Sequence, residues 1–472
     1  MNFFESSFKS FFWNIAGAAI AFITQIIAAK YLGAEIYGIA NYYLGFVTTI
    51  TIFTGFGLQF YLPNAISRTK NRKRLFSDIF WTYSFLFMVV QIFLYFLLGK
   101  VVGNDFIIII ILAYLTTLSE IILSYNISIG KASQGSFIRK FLYSLFNLVF
   151  FIIMIMFVSR KYYSYLITMI LAYIITVIPY VIKNVSTPKF NCNILKLSFI
   201  YYITQIVYGF YASCSKIIQK QMGTFQSVGI LSISMTLGNL INMLGSNFSK
   251  LSMPLFSKYW RDGEIDKLRD LYMATTRINC FFILPIAISL IINSGRILSI
   301  LGKGYNGGEI IFILVMISQF TNSFTGPNGT LIAMTEYSRY EVFNGIIKLF
   351  ISILAVVILG NKFIWTVPFS LAFSEIMVNI IKTIQVKIKI GIFPYKFKDI
   401  VYILILVIIE SLFLVSISNI NNIILWGISN GIIISIAAIL SFYQSPNKED
   451  RLFAKNIILK FKQIFLCNKI KY

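Results

Sequence analysis

The chain has 472 residues, 58% hydrophobic and only 12% charged, with mean hydropathy +0.79, so its apolar surface exceeds what a water-soluble core of this length can bury. That excludes a soluble globular protein and indicates a polytopic membrane protein. The net charge of +24, from 41 Lys and Arg against 17 Asp and Glu, does not call for a nucleic-acid partner. The cations fall in short loops beside apolar windows, where membrane topology accounts for them.

A bilayer crossing needs roughly 20 apolar residues. Windows of that kind run in order over about 11–32, 38–62, 77–98, 105–127, 141–158, 165–182, 197–219, 226–249, 275–294, 308–333, 341–359, 364–384, 399–417 and 423–443, which predicts fourteen spans. Continuous runs such as "FIIIIILAYL" (106–115) lack the alternation of an outer-membrane barrel, so the expected fold is an all-α bundle. When alternate loops are assigned to alternate sides, 30 cations fall on one side and 8 on the other. The cation-rich side is the cytoplasmic one, which places both termini in the cytoplasm.

The amino terminus lacks the basic region and small-residue cleavage site of a signal peptide, so the first apolar run is expected to remain as a helix. Cys192, Cys214, Cys280 and Cys467 show no pairing or metal-ligand spacing, and histidine is absent. They read as small apolar residues, with no metal expected.

The stretch "KYLGAEIYGIA" (30–40) interrupts the first apolar region with two charges and two glycines, and "KQMGTFQSVGI" (220–230) matches it. Each has a lysine three residues before the first glycine, Gly33 or Gly223, and the span that follows ends in a proline, Pro63 or Pro254. The offset is 190 at the glycine and 191 at the proline. A parallel repeat of six spans accounts for it, with an N-lobe over 1–190, a C-lobe over 191–395 and an extra helix pair over 396–444. The opening break is then a tight turn between two long helices, with Gly33 and Gly38 supplying backbone freedom.

"YLGAEIYGIANYYLGF" (31–46) followed by "FTGFGLQFYLPNAISR" (53–68) resembles the opening of polysaccharide flippases of the Wzx type. These belong to the multidrug/oligosaccharidyl-lipid/polysaccharide (MOP) exporter superfamily, which also holds the MATE transporters. The likeness extends to the fourteen-span, two-lobed layout of the whole chain. It implies export of a polyprenyl-pyrophosphate-linked oligosaccharide to the outer leaflet, by two lobes rocking around a central cavity, in the cytoplasmic (inner) membrane of a bacterium or archaeon. The glycan polymerase and chain-length machinery of O-antigen or capsule synthesis, together with membrane lipids, are the implied partners. In related lipid II flippases the extra pair forms a groove for the polyprenyl tail, which suggests the same for 399–443. One departure stands out. Members often carry a cation near the end of span 2, where this chain has Leu62, Pro63 and Asn64, with Arg68 beyond it.

An ionisable side chain near the bilayer centre costs at least about 2.5–3.5 kcal/mol, so it is expected to face an aqueous or protein-lined interior. Lys30, Lys216 and Lys220 lie towards the outer ends of spans 1 and 7, where substrate binding and snorkelling to the headgroups are alternatives. Arg277, at the start of span 9, is either an interfacial anchor or a substrate ligand. Lys348 is about 12 Å into span 11, too deep for easy snorkelling. These cations suit a phosphorylated headgroup leaving water. Glu120 and Glu375 are candidates for H⁺ or Na⁺ coupling, with an internal Glu–Lys pair as the alternative, and Glu410 lies outside the repeat. Tyr208 and Tyr211, in mid-span, are candidate sugar contacts.

The tail from Ser445 begins with a capping pattern, and its apolar residues Phe453, Ile457, Phe461 and Ile464 recur at helical spacing between lysines. That predicts a cytoplasmic amphipathic helix over 445–472 lying on anionic lipid. A membrane polymerase or acyltransferase fits poorly, because no nucleophile–base or metal-ligand spacing appears. A drug or metabolite antiporter of the same superfamily remains the alternative. The extra helix pair and the cationic bias of the span residues favour the anionic lipid-linked substrate.

Overall fold

Backbone N–H and C=O groups in hydrocarbon have no water to bond to, so spanning segments must satisfy them internally. The computed structural model of the chain does this with helices throughout. It describes residues 3–67, 69, 71–157, 161–187, 190, 192–447 and 451, and no strand occurs among them.

The helices are α1 (Phe3–Gly55), α2 (Leu58–Ser67), α3 (Arg72–Val102), α4 (Phe106–Ser128), α5 (Ala132–Ser136), α6 (Tyr143–Phe157), α7 (Tyr162–Asn184), α8 (Cys192–Met222) and α9 (Phe225–Arg261). They continue with α10 (Ile265–Ile292), α11 (Ser294–Leu301), α12 (Glu309–Phe324), α13 (Asn328–Ala333), α14 (Ser338–Leu359), α15 (Thr366–Ile390), α16 (Phe397–Ile417) and α17 (Ile423–Tyr443). Among the described residues, ten helical stretches are long and apolar enough to cross a membrane. The described residues of the fourteen predicted windows fall mainly on helix; the first two windows meet in α1, divided at Gly33, and the second runs past a break at Phe56–Gly57 into α2.

Three local departures from plain helices matter for the site. At Gly33 the backbone takes φ 78°, ψ 166°, a conformation that an L side chain rarely adopts. Residues 137–142, between α5 and α6, form a π-helical turn that carries Arg139 and Lys140, which the sequence reading places in a loop. Window 308–333, expected as one span, is a discontinuous helix. It breaks between α12 and α13 at Gly326, whose φ of 70° and close approach to the Thr276 side chain exclude a Cβ.

The chain divides into two compact units: Met1–Ile233 with Leu301–Tyr305 and Val356–Val367, and Ser234–Ile300 with Asn306–Ala355 and Pro368–Tyr472. This packing division puts α8 with the first unit, whereas the repeat division starts the second half at residue 191. The first unit has a core of α1 to α4 and α7 residues, with Tyr83, Phe76 and Leu58 fully enclosed. In the second, α10, α16 and α17 share a core around Phe281, Leu414 and Phe442, and Phe256, Tyr272 and Leu331 anchor another. Of the predicted tail helix (445–472), only residues 445–447 and 451 are among the described residues, and the rest lies outside them. Ser445 does accept a hydrogen bond from the Asn447 amide, at 3.2 Å.

Candidate functional site

The first unit is organised around two helix starts that cross each other. A Cβ on Gly38 would overlap the carbonyl oxygen of Phe225, and a Cβ on Gly229 would overlap that of Ala34. The contact is reciprocal, because 229 minus 38 and 225 minus 34 both equal 191, the offset of the proline match. Gly38 is helical rather than left-handed, so the expectation that it supplies turn freedom is corrected. It is there for close approach, the use of small residues where helices pack without a hydrophobic driving force between them. Gly33 alone makes the turn. Gln226 Nε2 donates to the Gly304 carbonyl at 2.6 Å, and the Tyr305 hydroxyl donates to the Ala29 carbonyl at 2.8 Å, tying the segment after α11 to the start of α9 and to α1 just before the Gly33 break.

Further along α1, α8 runs antiparallel to it, with Gly45 against Lys216 and Ile217, and Gly209 against Ile52. The absence of a side chain at Gly45 lets the Lys216 stem lie on α1, and Nζ reaches Asn41, donating to its Oδ1 at 2.7 Å. Asn41 is 4% exposed. Lys216 lies six residues, about 9 Å, before the end of α8. Its ammonium turns to a neutral amide on the neighbouring helix rather than along α8 to the helix end. Among the described residues it forms no ion pair. Lys220, one turn on, sits over the Phe225 ring at 4.6 Å from the centroid. Lys30 is exposed, three residues before the Gly33 break. Tyr211 is buried on α8, while Tyr208 is exposed.

Glu120 on α4 is paired. Arg139 of the π turn donates to its Oε1 at 2.7 Å, Lys140 Nζ lies 4.0 Å away, and the Arg139 guanidinium stacks over Tyr143 (5.3 Å) and Tyr173 (5.5 Å). The π turn brings both cations to this carboxylate, a use of irregular helix that accompanies specialised sites.

In the second unit the charges lie in a polar seam between α14 and α15. Glu341 pairs with Lys382 at 2.5 Å, Asn344 and Gln385 exchange two hydrogen bonds of 2.7 and 3.0 Å, and Lys348 pairs with Glu375. The two ion pairs are seven residues apart on each helix, as antiparallel packing requires, and about 10 Å apart along the seam. Glu375 Oε1 also accepts from Asn379 Nδ2 at 3.0 Å. Asn379 is the hub: it donates to Asn322 Oδ1 (3.0 Å) and accepts from Thr325 (2.9 Å) and Asn328 (3.2 Å), residues that flank the α12–α13 break. A broken helix at membrane depth frees polar backbone, which is tolerated where protein or water can satisfy it. Arg277 on α10 is 4% exposed.

The predicted residues therefore separate into two groups. Lys30, Lys216, Lys220, Tyr208, Tyr211 and Glu120 belong to the first unit, and Arg277, Lys348 and Glu375 to the second. Asn41, Arg139, Asn328 and Asn379 are not singled out by sequence reasoning. The signals for them are present: an asparagine one turn beyond Tyr37 in an apolar span, and "TGPNG" (325–329) inside another. Cys214 and Cys280 are free thiols, and no metal-binding cluster occurs among the described residues.

No protein-family model matches the sequence, and no curated protein does. Solved structures do match. The lipid II flippase MurJ in its inward closed conformation superposes with a TM-score of 0.70 at 16% identity, covering 96% of this chain and all of that one. An inward-facing multidrug resistance MATE family transporter of the MOP superfamily gives 0.61 at 12% identity, over 79% of this chain and 94% of that one. A point mutant of the Vibrio cholerae MATE transporter VcmN gives 0.51 at 14% identity, over 80% of this chain and 94% of that one. This helical, multi-pass chain thus shares its fold with MurJ and with the MATE transporters.

Proposed function

We propose that the chain is a flippase that moves a polyprenyl-pyrophosphate-linked oligosaccharide from the cytoplasmic to the outer leaflet of the cytoplasmic membrane, by alternating access, for surface polysaccharide synthesis. The observation that carries this reading is Lys216. In the spans, Glu120 is matched by Arg139 and Glu375 by Lys348, whereas the Lys216 ammonium rests on the neutral amide of Asn41. Membrane burial of a cation is unfavourable by roughly 2.5–3.5 kcal/mol, and an anionic group from the substrate supplies the missing counter-charge. A lysine suits this task, because a point charge binds a diphosphate without the fixed fork of an arginine and so releases it readily. Lys30 and Lys220 extend the positive field at the same end of the helices, and Tyr208 offers a ring for sugar contact.

The pyrophosphate and sugars cross while the polyprenyl tail stays in lipid along α16 and α17. Lys348 and Arg277 act as further cations for the headgroup, Lys348 once released from Glu375. Coupling to H⁺ or Na⁺ through Glu120 or Glu375 requires each carboxylate first to leave its bound cation. The glycan polymerase and chain-length machinery receive the product.

The test is flipping of a fluorescent polyprenyl-pyrophosphate oligosaccharide in proteoliposomes by wild type, K216A and K216R. A charge-assisted hydrogen bond contributes about 1.5–3 kcal/mol, so K216A is expected to slow flipping by roughly 10- to 150-fold. K216R should keep part of the rate. Unchanged flipping in K216A would remove Lys216 from the mechanism, and drug-driven ion exchange without lipid flipping would establish the antiporter alternative.

A further inference from the structure

Of the three glutamates singled out from the spans, Glu120, Glu375 and Glu410, one differs from the others. Glu410, fourteenth of the 21 residues of α16, is 3% exposed, and its Oε1 is buried without any hydrogen-bond partner. It forms no ion pair among the described residues, unlike Glu120 and Glu375. The helices packed against α16 are α10 and α17. Phe281 of α10 and Tyr402 of α16 touch edge to face at 5.9 Å, and both helices continue from there in the same direction, so eight residues on, Ser289 and Glu410 stand at one level.

That level is polar but already satisfied. Ser289 Oγ (3.2 Å) and Asn293 Nδ2 (2.9 Å) donate to Asn430 Oδ1 of α17, Asn430 donates to the Trp426 carbonyl, and the Trp426 indole donates to Asn293 Oδ1. The charged or titratable groups on the packed faces lie elsewhere. On α10, Arg277 and Cys280 are 12 and 9 residues before Ser289, about 18 and 14 Å along the axis. On α17 there is only Tyr443, at the far end and exposed. Arg296, just beyond α10, is engaged by the carbonyls of Ser418 and Asn421 and by the Trp426 ring. On α16 itself, Lys398, Asp399 and Tyr402 are eight or more residues away.

An ionised carboxylate with one oxygen enclosed, unbonded and far from any cation is not a tenable resting state in this surround. We propose that Glu410 is a proton-binding site, holding a neutral carboxylic acid at neutral pH, and that its proton is linked to the packing of α16 and α17 on α10. The packed arrangement holds the proton more tightly than a loosened one does, so the packing strengthens as pH falls and weakens as pH rises. This inference is independent of the substrate.

Infrared spectroscopy of the purified protein at neutral pH reads the protonation directly. The carbonyl band of a protonated carboxyl is expected in wild type and should be lost in E410Q, whose amide has the same shape. A second measurement needs no variant. N,N′-dicyclohexylcarbodiimide partitions into the membrane and reacts only with the protonated acid. The carboxyl proton moves to a reagent nitrogen while the carboxylate oxygen bonds the central carbon, with no leaving group, so the adduct carries the whole reagent. Mass spectrometry should find it on Glu410 in preference to Glu120 and Glu375, with at least a tenfold loss of labelling between acidic and strongly alkaline buffer. An infrared spectrum unchanged by E410Q, or an adduct on Glu120 or Glu375 with Glu410 unmodified, would overturn the proposal.

Discussion

The Lys348–Glu375 pair can be taken apart one charge at a time, and its two sides should respond unequally. The Lys348 side chain is 38% exposed and that of Glu375 only 10%. Breaking a buried pair by removing one partner typically costs about 3–5 kcal/mol, because the remaining charge is left uncompensated. That range applies to K348M, which strands the enclosed carboxylate. One Asn379 amide hydrogen bond to Oε1 remains, worth about 1.5–3 kcal/mol to a charged group, so a net cost of roughly 1–3 kcal/mol is expected. E375Q strands an ammonium that is more than a third exposed, where solvent screening reduces the penalty to about 1 kcal/mol or less. The double variant K348M/E375Q leaves no charge behind and should be more stable than K348M alone. Unfolding of a polytopic chain is irreversible, so the assay is the half-life of the folded, monodisperse protein at a fixed elevated temperature in detergent. Equal losses for the two single variants, or a double variant as unstable as the sum of both, would show that the pair is not what holds α14 to α15 at this depth.

Two further outcomes follow from packing. G38A and G229A each place a methyl group on a carbonyl oxygen of the opposing helix start, and overpacking of this kind typically costs about 1–3 kcal/mol. Because each glycine sits on the other's helix, the double variant should be strongly non-additive by thermal half-life, and additive losses would contradict the reciprocal crossing. R296A removes the guanidinium that donates to the Ser418 carbonyl at 2.9 Å and stacks on Trp426 at 4.6 Å. It should raise hydrogen exchange at the α16–α17 turn by tenfold or more while leaving α4 and α7 unchanged; an unaltered turn would show that the Asn422 side chain, which accepts from the Ile424 and Leu425 amides at the start of α17, suffices.

Element placement is readable in the sequence because the bilayer enforces it: an apolar window near 20 residues long has no stable alternative to helix. What hydropathy misses is any polar feature inside such a window. "TGPNG" (325–329) is averaged away by the isoleucines and phenylalanines around it, although a Gly-Pro pair followed by Asn is a turn signal in any other context. The partners of charges are also hidden. Arg139 looks like a loop cation because it follows a stretch with few apolar residues, and only the π turn rotates it back onto Glu120. Lys216 is visible as an unusual residue, but its match with Asn41 is a contact across 175 positions that no local pattern carries. Gly38 stands out in the sequence for the wrong reason, since a glycine needed for φ and a glycine needed for proximity are identical as letters.

The crossing of Gly38 and Gly229 has a bearing on symmetry. A segment that meets its own counterpart through equivalent positions makes the same contact from both sides, as two copies of one subunit do across a dyad. Neither glycine can therefore change by itself: a side chain at either position meets the backbone of the opposite helix start, so the two positions are constrained as one.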